Sequence, residues 1–180
     1  VGGVSEPLGR ALLAGASESV RAWAVQLMLE DRDADAASVA QLERAARDDA
    51  SPRVRLYLAS ALQRLPPERR WGVAEALLAR GEDAQDANLP LMLGFALEPL
   101  VALEPERALA LVPKAKLTSV ARFLVRRAAS EPKLHAALVG ALAKENDGAR
   151  RAWMLEATLA GLEEQRGLAE PAGWAALAAE

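Results

Sequence analysis

The feature that most constrains this chain is that it repeats itself at an interval of 34 residues. The segment SVRAWAVQLMLED (19–31) aligns with RVRLYLASALQRL (53–65), so that Val20-Arg21 falls on Val54-Arg55, Trp23 on Tyr57, Leu27 on Ala61 and Met28 on Leu62. One further step lands on the apolar segment LPLMLGF (89–95). Beyond it, VARFLVRRA (120–128) and ARRAWMLEATLAGL (149–162) repeat the basic–aromatic opening, with Phe123 and Trp153 near the same phase. Each such segment is followed by a second amphipathic stretch: 37–49, 67–80, 105–112, 131–145 and 170–180. A period of this length describes a two-helix unit that cannot bury its apolar face alone and must stack on its neighbours.

Composition agrees with helices rather than strands. Hydrophobic residues make up 52% of the chain but aromatics only 4%, so the apolar content is mostly Ala and Leu, which favour helix. Helix boundaries can be read from capping chemistry. Ser51-Pro52 offers an N-cap oxygen followed by a proline at the first helical position, and Pro67, Pro105 and Pro171 are placed similarly. Gly81 and Asn146-Asp147-Gly148 mark stops and turns. Val54, Leu58, Ala61, Leu62 and Leu65 form one apolar face at helical spacing. Pro99, inside LPLMLGFALEPLVAL, is expected to end its helix near Glu98 or to kink it.

The expected fold is therefore all-α: a right-handed α-α superhelix, or solenoid, of about five helix pairs spanning 1–180 as one domain. Its repeats fall at roughly 1–15 (partial), 16–50, 51–82, 83–114, 115–146 and 147–180. The stretch DDASPRVRLYLASALQRL (48–65) resembles a HEAT repeat, with an acidic residue, a short proline turn, Val-Arg and then an amphipathic helix. More narrowly, 46–103 looks like the HEAT segment of large bacterial membrane-associated dehydrogenase-like proteins. That resemblance implies a place between a sugar-dehydrogenase-like propeller and a c-type haem domain, in an extracytoplasmic setting. It implies context rather than activity, because neither a propeller nor Cys-x-x-Cys-His occurs here. The abrupt ends, VGGVSEP and LAAE, suggest a piece of a longer protein.

Several chemistries are excluded or disfavoured. The chain has no cysteine, so disulfides and thiolate metal sites cannot form within it. Its 22 basic and 25 acidic residues give a net charge of −3, which supplies no electrostatic reason to expect nucleic acid or an anionic membrane. No apolar run reaches the roughly 18 residues of a membrane span. No glycine-rich phosphate loop, nucleophile elbow or H-E-x-x-H occurs. No cofactor or metal is expected in this chain.

The residues with chemical potential each have a structural explanation. Arg21 and Arg55 are expected to reach the acid or carbonyls of the inter-helix turn and of the next repeat; the alternative is an anion-binding ladder on a concave face. Trp23, Tyr57, Phe123, Trp153 and Trp71 are expected in the core. Asp31, Asp33 and Asp35 imitate half a calcium loop, but Ala36 and Leu42 stand where Gly and Glu are needed. Glu82, Asp83 and Asp86 could form a weak cation site, against the default of an exposed turn. His135 reads as helix filler at the surface or half-buried, with a relay through Glu131 as the alternative. Arg53, Arg69 and Arg70, with Arg122, Arg126 and Arg127, form the candidate interaction surface. These residues lead to a non-catalytic scaffold that binds protein. The alternatives are a nucleic-acid-binding solenoid of the repair-glycosylase type using the Arg patch, and a tetrapyrrole-handling one.

Overall fold

A computed structural model of the chain describes residues 4–32, 34–163 and 165–179. Among these, the regular structure is entirely helical. The α-helices are α1 (Glu6–Leu13), α2 (Glu18–Met28), α3 (Ala36–Asp48), α4 (Pro52–Ala61), α5 (Trp71–Leu78), α6 (Leu89–Leu103), α7 (Pro105–Leu109), α8 (Thr118–Ala129), α9 (His135–Lys144), α10 (Gly148–Leu162) and α11 (Trp174–Ala178). Each full repeat interval read from the sequence holds two of them, and 1–15 holds α1. No helix among the described residues is long and apolar enough to cross a membrane.

Local chemistry sets the boundaries. Ser51 accepts from the Val54 N–H and precedes Pro52 at the start of α4. Asp35 caps α3 through the Ser38 N–H, and Asp147 caps α10 through the Arg150 N–H. Pro67 opens a 3-10 turn, Pro67–Arg69, and the α-helix begins only at Trp71. Pro171 likewise precedes α11, which starts at Trp174. Pro99 does not end its helix: α6 runs on to Leu103 with the proline inside it. The helix there carries one fewer backbone hydrogen bond, since proline has no N–H to donate.

The chain divides into two compact units, Val1–Ala96 and Leu97–Glu180, with the division inside α6. In the first unit α2 packs on α4 and α3 on α5, while α1 packs on α2 and α3. Helices at equivalent repeat positions therefore lie against one another, in two layers. The core is aliphatic: Val25, Leu29, Leu42, Val54, Leu58, Leu62, Leu77 and Leu93 are each at most 2% exposed.

Two arginine–aspartate links each join the first helix of a pair to the turn that follows its second helix. Arg55 and Asp83 are buried to 3% exposure, and the guanidinium meets the carboxylate through two bonds of 2.6 Å, from Nε and Nη2. Arg55 Nη1 donates 2.8 Å to the Asp49 carbonyl, six residues earlier. Arg21 does the same one repeat before. Its Nε and Nη2 donate to the Asp49 carboxylate at 2.7 and 2.9 Å, and Nη1 donates to the Gly15 carbonyl at 3.1 Å, again six residues earlier. Asp49 is thus shared: its side chain holds the arginine of one repeat and its carbonyl that of the next. Burial raises the Asp49 pKa, but the Arg21 bond, the Ser51 N–H and both guanidinium charges outweigh it and hold the carboxyl below the usual range. The Asp83 bond likewise raises Arg55 against the opposing effect of its burial.

The second unit has the same layering. Here α8 packs on α10, and α9 on α7 and α11. The phase that carries Arg21 and Arg55 falls on Ala121 in α8. There α8 and α10 approach closely. A Cβ on Gly161 of α10 would lie 2.5 Å from the Arg126 carbonyl oxygen and 2.7 Å from the Ala129 Cβ. Gln165 Nε2 donates 2.9 Å to the Ala129 carbonyl just beyond.

Two glycine substitutions in this unit are expected to move stability in opposite directions. Gly161→Ala forces α8 and α10 apart and should cost about 1–3 kcal/mol. Gly140→Ala adds a methyl in α9 where nothing lies within 4 Å, so it should gain up to about 1 kcal/mol from helix propensity. Thermal unfolding of both variants checks this pair.

Candidate functional site

The face of the first unit that the stacked layers leave open carries a stripe of large apolar side chains. Trp23 of α2 is 58% exposed, Leu91 and Phe95 of α6 are 53% and 47% exposed, and Tyr57 of α4 is half-buried. Trp23 and Tyr57 meet edge to face, with ring centroids 6.2 Å apart and planes at 66°, a favoured aromatic geometry. Between α2, α4 and the start of α6 lies a groove of about 380 Å³, lined by Trp23, Leu56, Tyr57 and Met92 with Gln26, Ser60 and Asn88 among them.

This corrects the expectation that these aromatics are core. On α2 the buried arc runs through Ala22, Val25 and Met28, and Trp23 lies off it. The signal was present in the sequence. Trp23 has Ser19, Gln26 and Glu30 at helical neighbour positions, and Tyr57 has Arg53, Ser60 and Arg64 at the same offsets. Polar residues at i−4, i+3 and i+7 put one side of each aromatic on a solvated face, while Val20, Leu27, Val54 and Ala61 at i−3 and i+4 flank the other side. Trp71 is the one of the five that is fully core, at 2% exposure; Phe123 and Trp153 are half-buried.

The polar neighbours bind across the same interval as the aromatics. Arg53 donates 3.0 Å to Ser19 Oγ and lies 3.6 Å from Glu18. Arg64 pairs with Glu30 at 3.0 Å and donates to the Gln26 carbonyl at 3.3 Å. The groove is therefore framed by two ion pairs whose charges cancel, with the ring pair between them. Exposed pairs of this kind contribute at most about 1 kcal/mol each.

The six arginines of the expected interaction surface fall three in each unit, and most are committed. Arg70 is buried, contrary to that expectation. Its guanidinium donates to the carbonyls of Leu65, Ala96 and Gln63 at 2.8, 3.0 and 3.2 Å. It has burial lowering its pKa against a weaker opposing effect of Glu68. Arg69 is exposed and donates 2.6 Å to the Ala34 carbonyl. Arg122 sits 5.1 Å over the Trp153 ring and pairs with Glu156 at 3.2 Å. Arg127 pairs with Glu131 at 3.0 Å and lies 3.4 Å from Glu98. Arg126 is exposed. Acidic partners thus neutralise much of the patch that an anionic ligand would need.

Most of the acidic candidates are committed as well. Asp83 is taken by Arg55, Glu82 pairs with Arg80 at 2.7 Å, and Asp86 accepts from the Asn88 and Leu89 N–H groups. Asp35 caps α3 and pairs with Arg10; Asp33 lies outside the described residues. No cluster of three metal-ligating side chains occurs among the described residues. His135 is buried rather than at the surface or half-buried, at 8% exposure, and donates from Nε2 to the Ala129 carbonyl at 2.7 Å. Glu131 is occupied by Arg127 and Lys133, so the two form no relay. Comparison of the chain with protein-family models, with curated proteins and with solved structures finds no match.

Two tryptophans separate the surface from the core. Trp71→Ala is expected to cost about 3–5 kcal/mol in denaturant unfolding, as removal of a fully packed ring does. Trp23→Ala should cost less than about 1 kcal/mol, because its ring leaves water only partly on folding.

Proposed function

We propose that this chain is a non-catalytic α-solenoid module of the HEAT type that binds a protein through the aromatic stripe of its first unit. Support for the solenoid comes from the repeat interval together with the like-on-like stacking of helices within each unit. The observation that carries the function is the exposed Trp23–Tyr57 pair over an open groove. Aromatic residues are enriched at protein interfaces, because they provide large contact area for little lost side-chain freedom. The resemblance to the HEAT segment of dehydrogenase-like proteins fits a module that joins other domains or subunits, and the same proposal extends to an extracytoplasmic setting.

A random peptide library displayed on phage and selected on the intact protein tests this. Selected peptides are expected to bind the wild type and to lose at least about tenfold in affinity on Trp23→Ala or Tyr57→Ala, the loss usual for an interface anchor. Peptides unaffected by either change, or a salt-sensitive shift of duplex DNA lost on Arg126→Glu, would refute it.

A further inference from the structure

The chain has no cysteine and three methionines, so all of its sulfur is thioether. Met28 and Met154 are 4% and 2% exposed. The Met28 side chain lies against Gly9 of α1, where an added Cβ would stand 3.2 Å from its sulfur. Met92, near the start of α6, is half-buried and lines the groove of the first unit with Trp23, Leu56 and Tyr57. One thioether of the three is thus open to solvent, and it sits among the apolar residues of the groove.

Exposure decides which methionine an oxidant reaches. A peroxide meets Met92 directly from the groove, whereas the other two become accessible only when their helices open locally. The reaction needs nothing further from the protein. The thioether sulfur attacks one peroxide oxygen, the O–O bond breaks, an S–O bond forms, and the second oxygen leaves as water. Sulfur gives up the two electrons that the peroxide accepts. The product replaces a flexible apolar side chain with a polar group that accepts hydrogen bonds. An apolar partner side chain entering the groove would then have to strip water from that oxygen, which is unfavourable for a polar group left unpaired.

We propose that Met92 is an oxidation site that controls the groove. The partner binds while Met92 is a thioether and is released when it becomes the sulfoxide. A thiol-dependent sulfoxide reductase reverses the step: the oxygen leaves as water while two thiols become a disulfide. The assignment rests on the reading of this groove as a peptide site and adds the means by which binding is switched off.

Dilute hydrogen peroxide followed by peptide-mapping mass spectrometry tests the first step. Met92 is expected to gain one oxygen at least about tenfold faster than Met28 or Met154. Peptides selected on the reduced protein, and lost on Trp23→Ala, should bind the oxidised protein at least about fivefold more weakly. Treatment with methionine sulfoxide reductase and dithiothreitol should restore them. Met92→Gln should show the weakened binding without peroxide, and Met92→Leu should bind equally before and after it. Equal oxidation of the three methionines, peptides sensitive to Trp23→Ala yet indifferent to oxidation, or peroxide sensitivity that survives in Met92→Leu would overturn this assignment alone. Peptides indifferent to both Trp23→Ala and oxidation would overturn the groove reading and this control with it.

Discussion

The first unit depends on the buried contact between Arg55 and Asp83. Two full charges at 3% exposure would each cost several kcal/mol to bring out of water alone. They are tolerated because the guanidinium fork meets the carboxylate with two short bonds while its remaining nitrogen takes the Asp49 carbonyl. That geometry is available only when α4 and the turn after α5 hold one particular register. The pair therefore acts less as a source of net stability than as a condition on how the repeats stack. Asp49 extends the condition backwards, since its side chain fixes Arg21 in the preceding repeat. One interval further on, Leu89 stands at the arginine phase and Leu117 at the aspartate phase. Both leucines are fully buried.

Fixing register from the buried side leaves the opposite face of α2 and α4 free of a packing role. Its polar contacts, Arg53 with Ser19 and Arg64 with Glu30, are exposed and individually weak. They keep side chains ordered around the Trp23–Tyr57 pair without covering it. The apolar stripe is thus presented on a scaffold whose alignment is determined elsewhere, which is the arrangement a binding surface requires. The second unit reaches similar layering by close helix approach at Gly161.

Much of this was legible in the sequence, and the parts that were not have physical causes. Helix content, the pairing within repeat intervals and the Ser51 cap follow from periodicity and capping chemistry, which are local. The structural role of Arg21 and Arg55 could be read from their common phase. Their partners could not be assigned, because Asp83 lies 28 residues beyond Arg55 and sits in what reads as an ordinary acidic turn. The exposure of Trp23 does not follow from repeat phase, which says only that two residues share a face. With polar residues at i−4 and i+3 but apolar ones at i−3 and i+4, the pattern leaves both aromatics at the border of the two faces. Arg70 reads as a surface arginine beside Arg69, and only the fold shows three carbonyls converging on it. Pro99 does not end α6, which continues through it to Leu103.

The central claim is that the buried arginine–aspartate geometry sets the stacking of the first unit. A double-mutant cycle on Arg55 and Asp83, read by urea unfolding of the whole chain, tests it most directly. Arg55→Leu and Asp83→Leu should each cost about 3–5 kcal/mol, because each strands a buried charge. The double variant should cost clearly less than their sum, since it strands none. Single losses below about 1 kcal/mol, the range of an exposed pair, or strictly additive losses, would contradict the account.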